Sequence, residues 1–283
     1  TTTAARGGTT TDPGGKTDSP DPAVQLSTKP RVIVVDSDQH CGSTLGLITP
    51  EGVQVDNANW FKPGDPLLHL WNEHQGYVDY VESIVQKWRK KGATAHYINL
   101  GDLTDGDHHN THQIINRDQG THIAAARNVL HDGFMRLDFD TVHFIMGTPA
   151  HVGAGGALEK SIASDLCHKY PVVRCPWNGL SVWPELTAQF GNYRFHVEHH
   201  GRTGQVQHTE KSYAALYAYD IHGSFVNDER TPPAVAVRAH KHRMVDSGPD
   251  LRGITRVVQT GCWQYSSEWV RSKAIKTQPH FGG

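Results

Sequence analysis

From residue 31 onward the chain alternates between short apolar runs and stretches of helical spacing. Residues 31–36 (RVIVVD) form an apolar run rich in β-branched side chains and predict a buried strand. Similar runs follow at 95–100 (AHYINL), 141–146 (TVHFIM), 193–198 (YRFHVE), 234–239 (AVAVRA) and 255–260 (TRVVQT). Between them, Asp65-Pro66 has the form of a helix N-cap followed by proline in the first turn. Val78, Val81, Ile84, Val85 and Trp88 then recur at helical spacing, and Gly92 closes the run. Ile123, Val129, Leu130, Phe134 and Leu137 predict a second helix, residues 158–170 before Pro171 a third, and residues 211–221 a fourth. No internal repeat is visible. Strands alternating with helices early, then strands with longer loops, predict an α/β layered fold. Ligands of such folds sit at the carboxyl ends of strands.

Length and charge narrow the class. The 283 residues suit one or two domains, and a single α/β domain of ~250 residues would bury a sizeable core. Residues 1–30 are rich in Thr, Gly, Pro and Asp and read as a flexible polar tail or linker. Residues 31–283 are then expected to form one domain. No apolar run approaches the ~20 residues of a membrane helix, and no signal-peptide pattern opens the chain. With 27 Lys+Arg against 29 Asp+Glu, the balance argues against a general polyanion binder, although a local basic patch for nucleic acid stays open. Cys41, Cys167, Cys175 and Cys262 form no C-x-x-C pair, so no disulfide framework is expected and an intracellular setting is preferred. The unusual count is histidine, 20 in all, which directs attention to metal ligation.

The histidines and acids fall at strand ends. The first strand runs into Asp38-Gln39-His40, whose two side chains would share one side of an extended backbone. The second ends Gly101-Asp102-Leu103-Thr104-Asp105, the third Gly147-Thr148-Pro149-Ala150-His151, the fourth His199-His200-Gly201, and the fifth His240-Lys241-His242-Arg243. Each alone is ordinary loop chemistry. Five strand ends in succession delivering Asp or His where an open sheet binds ligands point to a metal centre. The mixed N/O donor set suits Mn, Fe, Zn or Ni better than Ca or Mg.

This order of motifs, D-x-H, G-D-x-x-D, a third-strand Gly and His, H-G, and H-x-H, resembles the calcineurin-like metallophosphoesterases from Asp38 to Arg243. Gly101 to Asp105 looks like the phosphodiesterase branch. The Gly-Thr-Pro-Ala-His third motif, with His-His-Gly later, looks like a phage-associated branch. The resemblance implies a four-layer α/β/β/α sandwich and two divalent ions. Asp38, His40 and His242 would hold the first, Asp102 would bridge, and His200 and His240 would hold the second. Thr148 stands where the family has an asparagine ligand and, with His199, is a further candidate for the metal or pocket. His151 either replaces that ligand or protonates the leaving group, the latter being preferred. Arg202 and Arg243 could bind phosphate oxygens.

The expected activity is that of a binuclear-metal-dependent phosphohydrolase, a phosphodiesterase or nuclease-type enzyme. A hydroxide bridging the two ions would attack phosphorus in line. A phosphomonoesterase and a virion-associated metal-binding component without turnover are the alternatives. Gly153–Gly156 departs from a dinucleotide loop because Leu158 stands where its next glycine belongs. Cys41 is either near the metal or small filler. Asp107, His108 and His109 could line a rim, and Trp177, Trp183, Trp263 and Tyr265 could stack a base or fill the core.

Overall fold

A computed structural model describes residues 29–56, 58–108, 111–170, 182–183, 185–190, 193–202, 204, 207–248, 253–273 and 278–283. Most of the N-terminal tail, Pro171, His109 and Trp177 lie outside them. In chain order the strands are β1 (Arg31–Asp36), β2 (Val53–Gln54), β3 (Trp60–Phe61), β4 (Thr94–Asn99), β5 (Thr141–Ile145), β6 (Val182–Trp183), β7 (Glu185–Phe190), β8 (Tyr193–His200), β9 (Val235–Ala239), β10 (Val245–Asp246) and β11 (Arg256–Gln259). The helices are α1 (Asp65–Arg89), α2 (Gln119–Asp132), α3 (Pro149–Val152), α4 (Ala157–Lys169), α5 (Glu210–Asn227) and α6 (Glu268–Ser272).

The fold is mixed α/β. One sheet has the order β1-β4-β5-β6 and is parallel throughout. A second has the order β10-β11-β9-β8-β7, parallel at β11/β9/β8 and antiparallel at both edges. The unbroken apolar run of β1 follows from burial on both faces. Val34 joins the cluster under the helices, while Ile33 and Val35 face the cluster that includes β8 and β9. In β4, Tyr97 and Ile98 divide in the same way, as a two-residue period requires.

Three apolar clusters hold the elements. Leu70, Val78 and Val81 of α1, Val129 and Leu130 of α2, and Ile162 and Leu166 of α4 pack on the first sheet. Ile98, Leu100 and Ile145 meet Val197, Val237 and Ala239 of the second. Ala218, Ile221 and Phe225 of α5 cover Ala236 and Val257 on that sheet. Each buried large aliphatic side chain contributes ~1.5–3 kcal/mol relative to exposure.

Some local expectations change. The N-cap of α1 is Gly64, with no side-chain cap, and Asp65 and Pro66 occupy the first helical turn. The helix over Ile123 to Leu137 ends at Asp132, and a 3₁₀ turn, Phe134–Arg136, follows Gly133. Cys167 is disulfide-bonded, whereas Cys41 and Cys262 are free and buried. Among the described residues no helix is long and apolar enough to cross a membrane.

Candidate metal centre

The parallel ladder of β1 and β4 continues past the strand ends. The amides of Asp38, His40 and Cys41 donate to the carbonyls of Gly101, Asp102 and Leu103 at 2.9, 3.0 and 3.0 Å. This pins the D-x-H segment beside the G-D-x-x-D segment. The backbone there is not extended, as the sequence pattern had suggested. Asp38, His40, Asp102, His240 and His242 all adopt positive φ, between 48° and 73°, and Glu229 is the one other non-glycine residue recorded with it among the described residues. Left-handed backbone costs a non-glycine residue ~1–3 kcal/mol and persists where the surrounding structure over-determines it, commonly at functional sites. Gly101, at φ 96°, packs backbone to backbone on Gly147: a Cβ on Gly101 would lie 2.7 Å from the Gly147 Cα.

Asp38, His40 and His242 converge as a first group. His40 Nε2 lies 3.1 Å from His242 Nε2, and Asp38 Oδ1 lies 3.2 Å from His242 Nε2 and 3.8 Å from His40 Nε2. Asp38 Oδ1 is buried and, despite this proximity, makes no hydrogen bond. His40 Nδ1 donates to Asp105 Oδ1 at 2.9 Å, which leaves Nε2 as the nitrogen facing the group. Ligands bonded at ~2.0–2.2 Å to one ion lie roughly 3.0–3.6 Å apart. Two of the three separations fall in that range and the third, 3.8 Å, just beyond it, so the donor set and its carboxylate oxygen without a hydrogen bond fit a cation.

Asp102, His199 and His240 form a second group. His199 Nε2 is 3.0 Å from Asp102 Oδ2, and His199 Nδ1 donates to the Leu100 carbonyl at 2.7 Å. The Thr148 hydroxyl sits among all three, donating to Asp102 Oδ2 at 3.1 Å and lying 3.3 Å from His199 Nε2 and 3.2 Å from His240 Nδ1. The two groups touch where the His240 amide donates to Asp38 Oδ2 at 3.3 Å. A cavity of about 620 Å³ is lined by His40, Asp102, Thr148, His151, His240 and His242.

The site's electrostatics follow from burial and mutual charge. Burial alone would raise the Asp38 carboxyl, but the His242 and His40 imidazoles hold it well below the usual carboxylate range. Burial would lower His40, yet Asp105 and Asp38 lift it to about 9. Against the same burial, the Asp102 carboxylate lifts His199 to about 9. Burial, then the His199 and Lys241 charges, lower His240 to about 3.

Several expectations are corrected. His199, not His200, joins Asp102 and His240. Val197 and His199 of β8 are buried, while His200, after a register shift in the ladder, is exposed, its ring 5.1 Å from that of His199 and 4.9 Å from that of His240. Asp102 groups with the second set and not with Asp38, His40 and His242. Its Oδ1 accepts from the Thr148 amide at 2.5 Å, and its Oδ2 is engaged by Thr148 and His199. Arg202 is exposed and pairs with Asp220 at 3.7 Å. Arg243 is buried, and its guanidinium is spent on Glu210 at 2.8 and 3.1 Å and on the Gln278 carbonyl. Arg243 is thus committed to Glu210, and Arg202 does not line the cavity.

His151 lines the cavity. Its Nδ1 donates to the Asp105 carbonyl at 2.8 Å, and its Nε2 lies 3.9 Å from Asp102 Oδ2. Burial lowers this imidazole to about 4, so Nε2 carries a lone pair near neutral pH. Cys41 is core filler whose thiol burial pushes up, and Trp263 belongs to the same core. Tyr265 and His108 line the cavity, while Trp183 packs against the cluster between the sheets. Asp107 pairs with Arg117.

Two acids lay outside the candidate set. Asp105 Oδ1 takes His40 Nδ1 and, at 3.1 Å, Gln264 Nε2, and its place as the second acid of G-D-x-x-D was its sequence signal. Glu159, fully buried at the start of α4, accepts the amides of Gly147 at 2.9 Å and Leu103 at 3.3 Å and so braces the loops of Thr148 and Asp102. Nothing in its spacing marked it.

No protein-family description matches the chain, and no curated protein does. Among solved structures it is similar to a single mutant of Vps29 from Entamoeba histolytica, at 9% identity and TM-score 0.35, over 87% of this chain and 80% of that one. It is also similar to an uncharacterized protein described as a predicted phosphoesterase from Streptococcus pneumoniae, at 12% identity and TM-score 0.31, over 85% and 78%. A third is the sulfate thiohydrolase SoxB from Thermus thermophilus in complex with glycerol, at 10% identity and TM-score 0.39, over 82% of this chain and 52% of that one. At these scores the likenesses decide nothing about chemistry.

Proposed function

We propose that this protein is a binuclear-metal-dependent phosphoric ester hydrolase of phosphodiesterase or nuclease type. The observation that carries the reading is the Asp38 carboxylate. Its Oδ1 is buried without a hydrogen bond and faces two imidazole nitrogens that already converge on each other. A buried carboxylate oxygen with no hydrogen bond is costly unless a positive charge, on the imidazoles or on a bound cation, meets it. Asp102, Thr148 and His240 line the same cavity as His40 and His242, and the five-motif order that ends at these side chains supports phosphate-ester chemistry.

In this reading Asp38, His40 and His242 would hold one ion. Asp102, His199 and His240, with the Thr148 hydroxyl, would hold the other. Bound ions would neutralise charge on the phosphoryl oxygens and make a water acidic enough to attack near neutral pH. The protein's own part is orientation. Asp105 fixes the His40 ring, the Leu100 carbonyl fixes His199, and each bond leaves the other ring nitrogen free for the site. His151, with Nδ1 bound to the Asp105 carbonyl and a lone pair at Nε2, fits a proton acceptor or an ion ligand better than the proton donor expected from its motif.

The test is a metal count per chain, with assays of bis-p-nitrophenyl phosphate and p-nitrophenyl phosphate in added Mn²⁺ and after chelation. Hydrolysis of the diester, lost on chelation, is the expected result. Preference for the monoester would move the reading to a phosphomonoesterase. Fewer than one ion per chain after reconstitution, with neither ester hydrolysed, would sink it. His151→Ala divides the roles left to that residue: ion content falls if Nε2 is a ligand and stays if it accepts a proton.

A further inference from the structure

Lys241 stands between His240 and His242, one residue from each ion group, and lines the cavity with both. The positive φ of its two neighbours, 73° and 55°, fixes the backbone from which its stem starts. Among the described residues no carboxylate pairs with its ammonium. Acids are nevertheless at hand, since Asp102, Asp105 and Glu268 line the same cavity. The other permanent cation on that wall, Arg243, is consumed by Glu210 and the Gln278 carbonyl. Arg202 pairs with Asp220 and is not among the lining residues.

We propose that Lys241 binds the phosphate ester, its ammonium donating to a non-bridging oxygen of the phosphoryl group held at the centre. The assignment rests on the phosphohydrolase reading above and names the residue that meets the substrate's charge. A lysine suits the task. Its three donors sit on a flexible four-carbon stem and can follow a phosphoryl oxygen without the fixed fork of an arginine. Among the described residues this exposed ammonium has no ion pair to break when the anion arrives. Because the side chain points from the segment that carries both ligand histidines, substrate charge and ion positions are read from one short stretch of backbone.

Lys241→Met and Lys241→Arg test the assignment in the metal-loaded protein. For Lys241→Met, KM for bis-p-nitrophenyl phosphate is expected to rise about tenfold, the size of one charge-assisted hydrogen bond partly screened by water. The fall in kcat is expected to be smaller. The inhibition constant of inorganic phosphate should rise by a similar factor, with the metal count unchanged. Lys241→Arg should recover most of the loss. Unchanged KM and unchanged phosphate inhibition in Lys241→Met would overturn the assignment while leaving the hydrolase reading intact. If the wild type hydrolyses neither ester, that reading fails first. Calorimetric binding of inorganic phosphate to wild type and Lys241→Met then decides the lysine's role by itself. Equal affinities would end it, and about tenfold weaker binding by the variant would keep it.

Discussion

His199 and His200 are chemically identical neighbours, and burial against Asp102 separates their roles. His199 is buried with its ring nitrogen against Asp102 and His240, while His200 is exposed, its ring packed beside that of His240. Replacing His199 with Ala should remove one of the two ion-binding events in a calorimetric titration. His200→Ala should leave two events with affinities within a few-fold of wild type. Loss of an event in the His200 variant and not in the His199 variant would reverse the assignment. The same residue-scale logic explains Arg243. A guanidinium beside a candidate ligand reads as a phosphate clamp from sequence, but its donors are committed to a buried carboxylate 33 residues away in the chain.

At the scale of elements, the centre is made where loops leave the ends of β1, β4, β5, β8 and β9, and those loops fit together without slack. Gly147 shows how little. A Cβ there would run into the amide nitrogen and Oδ1 of Asp102, while the Gly147 amide is itself held by Glu159. Gly147→Ala should therefore cost about 1–3 kcal/mol through overpacking. In a chain of this size that lowers Tm by several degrees. It should also weaken the ion-binding event that involves Asp102 more than the one that involves Asp38. A melting curve and a metal titration equal to wild type would show that the loop yields and that the close approach is not needed.

Across the whole molecule, burial and neighbouring carboxylates pull the histidines in opposite directions. In the site, His40 and His199 are lifted by neighbouring carboxylates while His240 is lowered, and in the core His74, packed against Trp71, Phe134 and Trp263, is lowered by burial to about 3. The sign for His74 follows from linkage. The unfolded chain binds its proton near pH 6.5 and the folded chain only near 3, so stability is full above pH 6.5 and is lost as pH falls through that window. The loss by pH 3 is on the order of 3–5 kcal/mol. His74→Phe should flatten the acid limb of a Tm-against-pH curve between pH 6.5 and 4. An unchanged slope would place the acid sensitivity elsewhere.

Periodicity alone located the core strands, because burial on one or both faces imposes an apolar pattern that needs no partner to be recognised. It brought residues 31–36 and 193 onward out at their starting residues and placed α1 and α4 within a few residues of their ends. The short edge strands and β7, with its alternating exposure, carry too little apolar signal to stand out. The motif residues Asp38, His40, Asp102, His240 and His242 were legible because side chains that gather charge cluster at strand ends in the sequence itself. What the chain could not reveal was which face each side chain takes after a strand ends, and which partner reaches it first. His199 over His200, the bracing Glu159, the spent Arg243 and the cavity-lining Lys241 were decided by tertiary contacts. Burial direction and hydrogen-bond competition are properties of neighbours far apart in sequence, and they exist only once the two sheets have met.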